Sequence, residues 1–307
     1  MAKAARSATG QETLQPGWRV WWLGARPATL VAAIGPVLVG TAVGVREAGA
    51  VRWLPFLAAL LAAVLIQIGT NYANDLFDYL KGADRPERVG PARITARGLV
   101  TVSQMRWAVG LTFGAATLLG LYLVWIGGWP ILAIGLASIA AGILYTAGPW
   151  PLGYIGLGDL FVFVFFGLVA VGGSAYLQTG TLSPLALTAA VPVGALITAI
   201  LVVNNLRDIP TDRAAGKRTL AVRIGERATR WQYAALVLVA YLVPLLLWIA
   251  GWTGPAPLLA WLSLPLAVRL VRLVLDGARG PALNPVLKRT GQLQLLFAAL
   301  FAVGLLW

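Results

Sequence analysis

Asparagine and aspartate side chains recur at helical spacing in a short stretch near residue 75 of this sequence. The stretch contains Asn71, Asn74, Asp75 and Asp78. Spacings of three and four place these side chains on one side of a helix, with either Asn74 or the adjacent Asp75 completing the row. The row begins inside an apolar run, where a polar group is costly and therefore indicates a functional site. A glycine that follows is predicted to end the helix, so that Asp84 turns back toward Asp78.

A second stretch of the same kind begins near residue 204. Asn204, Asp208 and Asp212 are four residues apart and share a helix face, and Asn205 accompanies them. Lysine and arginine residues follow the carboxylates in both stretches. Both stretches therefore combine hard oxygen atoms with nearby positive charge.

This combination is suited to a diphosphate bound through Mg²⁺. Mg²⁺ prefers oxygen ligands and is commonly completed by substrate phosphates, while lysine and arginine neutralise the remaining phosphate charge. The predicted metal ligands are Asn74, Asp75, Asp78, Asp84, Asp208 and Asp212. The predicted diphosphate-binding residues are Asn71, Lys81, Arg88, Arg93, Asn204, Lys217 and Arg218.

The composition places these stretches in a membrane protein. Of the 307 residues, 59% are hydrophobic and only 11% are charged, whereas a soluble domain carries about 25% charged residues. Cysteine and histidine are absent, which excludes disulfides, Cys/His zinc sites and thiol or imidazole nucleophiles. The net charge of +13 is assigned to loops that face anionic lipid, so no nucleic-acid partner is expected.

Nine apolar runs are long enough to span a bilayer as helices. A polar N-terminal segment, residues 1–20, is predicted to be a disordered cytoplasmic tail, and residues 21–307 a single transmembrane domain of two four-helix halves plus a ninth helix. The predicted spans are 27–45, 53–73, 107–126, 129–147, 158–178, 184–206, 232–251, 255–274 and 291–307.

The distribution of positive charge predicts the orientation of these spans. The connections between the spans fall into two alternating sets, one on each side of the membrane. One set, together with the helix ends that flank it, contains all of the 24 lysine and arginine residues except Arg46 and Arg52. Cytoplasmic loops carry this excess, so the N-terminus is predicted inside and the C-terminus outside. Both Asn/Asp stretches then face the cytoplasm, and the protein is expected to be a multi-pass protein of the cell (inner or plasma) membrane.

These residues resemble a known family. Asn74-Asp75-x-x-Asp78 and Asp208-x-x-x-Asp212 are similar to the two Asp-rich motifs of the UbiA superfamily of membrane prenyltransferases. The gap of six residues from Asp78 to Asp84 favours the 1,4-dihydroxy-2-naphthoate polyprenyltransferase (MenA) branch over the hydroxybenzoate branch. Further stretches resemble that branch: 71–90, 145–154, 156–159 and 208–225.

The resemblance implies an all-α membrane fold with nine helices around a central cavity that opens to the bilayer. It also implies Mg²⁺-dependent transfer of a polyprenyl group from polyprenyl diphosphate to 1,4-dihydroxy-2-naphthoate, with loss of CO₂ and diphosphate, giving demethylmenaquinone. Tyr145 and Tyr154 are candidates to stack on an allylic cation or to line the ring pocket. Asp159 is a candidate to orient a substrate hydroxyl or to accept a proton, with capping of the helix as the alternative. Lys81 is a candidate electrostatic helper.

Three other functions remain open at this point. A related prenyltransferase with a phytyl or geranylgeranyl donor and a different acceptor would share the mechanism. A secondary transporter would also combine repeats with polar residues, but its charged site is expected near the bilayer centre. A CDP-alcohol phosphotransferase has an Asp array too, but its single DG-x₂-AR-type motif is absent.

Overall fold

The chain folds into an all-α structure, as the apolar runs predict. The computed structural model describes residues 17–82 and 93–307. The helices in these ranges are α1 Trp18–Ala25, α2 Pro27–Ala48, α3 Trp53–Leu80, α4 Val102–Gly127, α5 Trp129–Leu144, α6 Gly158–Thr179, α7 Pro184–Ala214, α8 Leu220–Ile249, α9 Ala256–Leu275 and α10 Gly280–Leu305. Helix α6 contains a π-helical segment, Phe163–Val169.

Eight helices of the described ranges, α2–α4 and α6–α10, are long and apolar enough to cross a membrane. Helix α5 is apolar but has only 16 residues, about 24 Å at 1.5 Å per residue. That length is shorter than the ~30 Å hydrocarbon core of a bilayer. Each of the nine predicted spans therefore corresponds to a described helix, but only eight of these helices are long enough to cross a membrane.

The helices that carry the two Asn/Asp stretches continue beyond the predicted spans. The predicted spans end at residues 73 and 206, whereas α3 continues to Leu80 and α7 to Ala214. Both pairs of carboxylates consequently lie on the final turns of long helices. The glycine predicted to end the first of these helices, Gly82, follows α3 with a φ of 63°, a left-handed conformation that favours glycine.

Helix α8 also differs from its prediction. It begins at Leu220, twelve residues before the predicted residue 232, and its backbone is interrupted at Gly225 (φ 82°, ψ 171°). The segment 220–231 contains charged residues that an apolar-run criterion leaves out. Thr219 starts this helix by accepting a hydrogen bond from the backbone N–H of Val222 at 3.3 Å.

The N-terminal boundary requires a correction as well. The predicted tail reached residue 20, but α1 already begins at Trp18; residues 1–16 of that tail lie outside the described ranges. Tyr72 on α3 donates a hydrogen bond to the carbonyl of Trp21 at 3.0 Å, and the two rings pack edge to face at 5.8 Å. Helix α1 is therefore anchored to the helix that carries the first Asn/Asp stretch.

Helix α7 lies in the interior of the bundle. Ala189, Val193 and Leu196 have no exposed surface, and the helix contacts α2, α6, α8 and α10. Helix α2 packs closely against α6, where a Cβ on Gly40 would lie 2.2 Å from the carbonyl oxygen of Val171. Small residues permit such close helix approach within membranes.

The two arginines that depart from the charge distribution bind helix ends. Arg46 donates to the carbonyl of Leu305 at 3.1 Å, and Arg52 donates to the carbonyl of Leu177 at 3.0 Å. These carbonyls lie in the last turns of α10 and α6, where positive charge is favourable. The C-terminal ends of α2, α6 and α10 thus meet the start of α3 at one end of the bundle, as the predicted alternation of spans requires.

Candidate active site

A cavity of about 960 Å³ lies between α2, α3, α5, α6 and α7. Four basic side chains and three carboxylates line it: Arg26, Arg93, Arg207, Lys217, Asp78, Asp208 and Asp212. On α3 the lining runs from Asp78 to Ala63, about 22 Å at 1.5 Å per residue. Away from the charged end, the side chains that line the wall are mostly apolar. They include Ala33, Ile66, Phe165, Ala170 and Ile200.

The first Asn/Asp stretch lines the cavity with Asn71, Asn74 and Asp78. Asn71 donates to the carbonyl of Ala25 at 2.8 Å and to Thr29 Oγ1 at 3.0 Å, which connects α3 to the start of α2. Asn74 Oδ1 accepts a hydrogen bond from Thr146 Oγ1 at 2.9 Å. The spacing of three and four residues therefore produces one polar row on the cavity wall, as predicted.

Asp78 is the centre of a network that joins four segments of the chain. Arg93 donates to its Oδ2 and the Tyr154 hydroxyl donates to its Oδ1. Lys217 Nζ lies 3.6 Å from the same Oδ1. Since Lys217 follows the second Asn/Asp stretch, this contact brings the two stretches into one site. Asp78 is only 2% exposed, so these partners, rather than bulk water, surround its carboxylate.

Asp75, predicted as a metal ligand, is placed elsewhere. Its Oδ2 accepts from the backbone N–H of Ile94 at 2.9 Å, and its Oδ1 accepts from that of Thr95 at 3.0 Å. The side chain is 1% exposed and does not line the cavity. Adjacent helical residues point about 100° apart, so only Asn74 of the two faces the cavity. Asp75 instead holds the turn that follows Arg93.

The second stretch lines the cavity with Asn204, Asn205, Asp208 and Asp212. Both oxygens of Asp208 accept hydrogen bonds from the adjacent Arg207, at 2.8 and 2.6 Å. This bidentate pair is buried, with the side chains of Arg207 and Asp208 2% and 9% exposed.

Sequence reasoning missed three residues of the site: Arg26, Arg207 and Asn284. Arg207 reaches Asn284 Oδ1 at 3.0 Å, which connects α10 to the second stretch. Arg26 lines the cavity in a left-handed conformation (φ 52°, ψ 70°) between α1 and α2. An arginine beside an aspartate at the end of an apolar run is a usable signal, because charges at membrane depth are commonly paired. Nothing in the local sequence marks Asn284.

The predicted basic residues separate into two groups. Lys217 and Arg93 line the cavity, whereas Lys81 and Arg218 do not. Lys81 donates to the carbonyls of Thr146 and Gly148 at 2.7 and 2.9 Å. Burial lowers the pKa of Lys81, and the positive charge of Lys217 lowers it as well, whereas the negative charge of Asp78 raises it.

Arg218 is exposed, and its backbone N–H binds the carbonyl of Tyr154 at 2.7 Å. Lys81 and Arg218 thus lie beside the cavity, and their predicted roles in catalysis and diphosphate binding stay predictions. The predicted residues Asp84 and Arg88 lie outside the described ranges.

Tyr154 connects the two halves of the charged end. The ammonium groups of Lys81 and Lys217 lie 5.3 and 4.3 Å from its ring centre, within the range of cation–π attraction. Its hydroxyl already binds Asp78. The ring therefore contacts cations from two distant parts of the chain.

Tyr145 lines the cavity beside Tyr154. Its ring is confined by Gly153, where an added Cβ would lie 2.8 Å from the ring. A tyrosine hydroxyl ordinarily titrates at about pH 10, well above physiological pH. The hydroxyl is consequently a neutral phenol at physiological pH and a hydrogen-bond donor.

Asp159 is buried but does not line the cavity. It accepts hydrogen bonds from Gln232 at 2.6 Å and from Asn205 at 3.4 Å. Asn205 does line the cavity. Asp159 thus lies behind Asn205 as seen from the cavity, and its predicted catalytic role stays a prediction.

The oxygen atoms of the site fit a metal ion that substrate phosphates complete. Within 17–82 and 93–307, no three carboxylates are close enough together to hold a metal ion unaided. Asn74 with Asp78, and Asp208 with Asp212, instead provide a few oxygens from each of two helices. Mg²⁺ is usually bound by one or two carboxylates together with substrate phosphates, so this donor set suits it.

Comparisons with known proteins agree with this geometry. The model of the UbiA prenyltransferase family matches residues 33–286. A 1,4-dihydroxy-2-naphthoate octaprenyltransferase of Mycobacterium tuberculosis is 42% identical over 285 residues, which cover 93% of this chain and 96% of that protein. The protein of the same name from Escherichia coli is 41% identical over 300 residues, covering 94% and 95%.

The fold is similar to that of a UbiA homolog from Archaeoglobus fulgidus whose structure was solved bound to DMAPP and Mg²⁺. The TM-score is 0.66 at 15% sequence identity, and the likeness covers 93% of this chain and 98% of that one. At this identity the likeness concerns the fold.

Proposed function

The chain belongs to the UbiA prenyltransferase family, and we propose that it transfers a polyprenyl group from a polyprenyl diphosphate to 1,4-dihydroxy-2-naphthoate. Carbon dioxide and diphosphate leave, and the product is demethylmenaquinone, in its quinol form, in menaquinone biosynthesis. The relatives that match nearly the whole chain carry this activity in their names. Membership of the family sets aside the transporter and the CDP-alcohol phosphotransferase.

The observation that carries the proposal is the shape of the cavity. Two helix ends bring Asp78 and Asp208 to one charged end, and an apolar wall continues from there into the helix bundle. A polyprenyl diphosphate has the same division between a charged head and a long apolar tail. The charged end thus receives the diphosphate, and the tail lies along residues such as Ala63 and Phe165.

The charged end is arranged to separate diphosphate from the prenyl group. Asn74, Asp78, Asp208 and Asp212 would hold Mg²⁺, which when bound neutralises the negative charge that develops on the leaving diphosphate. Lys217 and Arg93 provide fixed positive charge at the same place, which stabilises that charge without reorganisation. The allylic C–O bond breaks with its electron pair on the diphosphate oxygen.

The tyrosines face the allylic cation that this bond cleavage leaves. The electron-rich faces of Tyr145 and Tyr154 stabilise such a cation, and the neutral Tyr145 hydroxyl and the Asn205 amide can donate to the acceptor. The ring carbon that bears the carboxylate forms the new C–C bond, and the acceptor ring loses its aromaticity at that carbon. The bond to the carboxylate then breaks, carbon dioxide leaves, and the electron pair restores the aromatic ring.

The activity is tested with the purified full chain, Mg²⁺, a polyprenyl diphosphate and carboxyl-labelled 1,4-dihydroxy-2-naphthoate. We expect labelled carbon dioxide and a prenylated naphthoquinol in equal amounts, with both lost when the metal is removed by a chelator and restored by Mg²⁺. Hydroxybenzoate and homogentisate serve as control acceptors. Turnover of either control without turnover of the naphthoate would refute the proposed acceptor.

We further propose nine spans, a cytoplasmic N-terminus, an outer C-terminus and a charged cavity end that faces the cytoplasm of the cell membrane. The loop charges support this orientation. Since the chain has no cysteine, single cysteines can report it. In intact cells, an impermeant maleimide should label Thr181→Cys in the α6–α7 loop and spare Asp276→Cys in the α9–α10 loop; both residues are exposed. The reverse pattern would contradict the orientation.

A further inference from the structure

Arg207 binds the carboxylate of Asp208, which the proposed function assigns as a ligand of Mg²⁺. Its Nε and Nη2 donate to the two oxygens of Asp208 at 2.8 and 2.6 Å. Nη2 also donates to Asn204 Oδ1 at 2.9 Å, and Nη1 donates to Asn284 Oδ1 at 3.0 Å. The residue is 3% exposed and lies in the cavity wall.

The pairing is not a consequence of helix geometry. Consecutive residues of a helix point about 100° apart and do not face each other. The Arg207 side chain nevertheless reaches both oxygens of Asp208, and the two asparagines fix it there. A buried carboxylate is costly without a compensating positive charge, which Arg207 provides.

A metal ion at Asp208 would compete with this arrangement. Both oxygens of Asp208 are engaged by a cation, and a second cation on the same carboxylate repels the first. A guanidinium also matches the oxygens of a phosphate with two parallel hydrogen bonds. The donor diphosphate enters the cavity that Arg207 lines, so the arginine has a second anionic partner within the same wall.

We infer that Arg207 holds Asp208 in the metal-free protein and transfers its guanidinium to the donor diphosphate when the metal binds, an inference that rests on the proposed function. Arg207 is therefore a donor-binding residue whose resting partner is a metal ligand. Asn204 and Asn284 keep the guanidinium at the cavity wall during the exchange. The metal alone binds weakly against Arg207, and metal with diphosphate binds tightly.

The first half of the site has a comparable pair. Arg93 donates to Asp78, the other buried carboxylate proposed as a metal ligand. There the arginine comes from a different segment of the chain, 15 residues away along the sequence. Each half thus compensates its proposed metal-binding carboxylate with an arginine while no metal is bound.

The test measures metal binding without turnover. Purified full-length protein is titrated with Mn²⁺, and free Mn²⁺ is followed by electron paramagnetic resonance, with and without inorganic diphosphate. In Arg207→Gln we expect the Kd for Mn²⁺ alone to fall at least about tenfold, because a cation that repels the metal is removed. The gain in Mn²⁺ affinity caused by diphosphate should shrink by at least about the same factor, because a phosphate-binding group is lost.

Arg213→Gln is the matched control. Arg213 lies on the same helix, is exposed and does not line the cavity, so removing its charge should leave both Mn²⁺ constants near those of the wild type. A purely structural role for Arg207 would weaken Mn²⁺ binding in Arg207→Gln under both conditions. Unchanged or weaker binding of Mn²⁺ alone overturns the inference.

A second variant protects the test against misfolding. Arg207→Lys keeps the charge but replaces the two-pronged contact by a single ammonium, so Mn²⁺ alone should bind more tightly than in the wild type and less tightly than in Arg207→Gln. Affinity equal to that of the wild type would contradict the inference. Tighter Mn²⁺ binding in Arg207→Gln, together with a wild type that forms no prenylated naphthoquinol, would instead refute the proposed function and leave the exchange at Asp208 intact.

Discussion

Asp78→Asn is expected to lower the rate of prenyl transfer by at least about 10²-fold, the scale found when one preorganised charge-stabilising group is removed from an active site. The asparagine keeps the volume and an acceptor for the Tyr154 hydroxyl, but it removes the negative charge that Arg93 and Lys217 approach. Metal binding and the position of both cations depend on that charge. The loss should appear in kcat, because the charge develops in the transition state.

The measurement is release of labelled carbon dioxide at saturating donor and acceptor, with thermal unfolding recorded in parallel. Asp276→Asn is the control, since Asp276 is an exposed carboxylate in the α9–α10 loop, and it should retain the wild-type rate. A rate for Asp78→Asn within about twofold of the wild type would remove Asp78 from the metal site. A large drop in unfolding temperature would assign its role to the fold.

Asp75→Ala is expected to destabilise the protein by about 2–6 kcal/mol, because each of two buried donors left without an acceptor costs about 1–3 kcal/mol. The two donors are the backbone N–H groups of Ile94 and Thr95. Their turn follows Arg93 directly, so the arginine loses its fixed position against Asp78. Activity should fall as well, through displacement of Arg93 rather than loss of a metal ligand.

The unfolding temperature and the Mg²⁺ dependence of the rate together separate these roles. In Asp75→Ala the unfolding temperature should fall, while the Mg²⁺ concentration for half-maximal rate stays within a few-fold of the wild type. Asp75→Asn retains one oxygen acceptor and should be intermediate in stability. If the half-maximal Mg²⁺ concentration rose at least tenfold with the unfolding temperature unchanged, Asp75 would be a metal ligand after all.

The two aspartates of the first motif, Asp75 and Asp78, thus have different structural roles. Asp78 faces the cavity, and Asp75 faces the turn that carries a cavity arginine. The second motif also joins a cavity-facing carboxylate to an arginine, but there the two residues are adjacent. Asp208 faces the cavity with Arg207 bound to it. In both motifs the carboxylate proposed as a metal ligand is paired with a buried arginine that the motif spacing does not specify.

The sequence alone determined the features that depend on the chain locally. Apolar runs must be helical in lipid because their backbone groups have no other partners, so each predicted span has a helix. Residues three and four apart share a helix face, so Asn71, Asn74 and Asp78 form one row on the cavity wall. Gly82 ends α3 because its left-handed conformation favours glycine. The quoted motifs also identified the family.

The tertiary structure decided the features that depend on the rotation of each helix about its axis and on which helices pack against it. Spacing fixes directions within one helix but not the rotation of that helix in the bundle, so the choice between Asn74 and Asp75 required the packing of α3. The same limit explains why Lys81 and Asp159, predicted at the reaction, lie beside the cavity. Arg207 and Asn284 are 77 residues apart, and only the docking of α10 against α7 brings them together. A charged cluster gathered from distant segments has no local signature, because its energy comes from burial and pairing in the folded bundle.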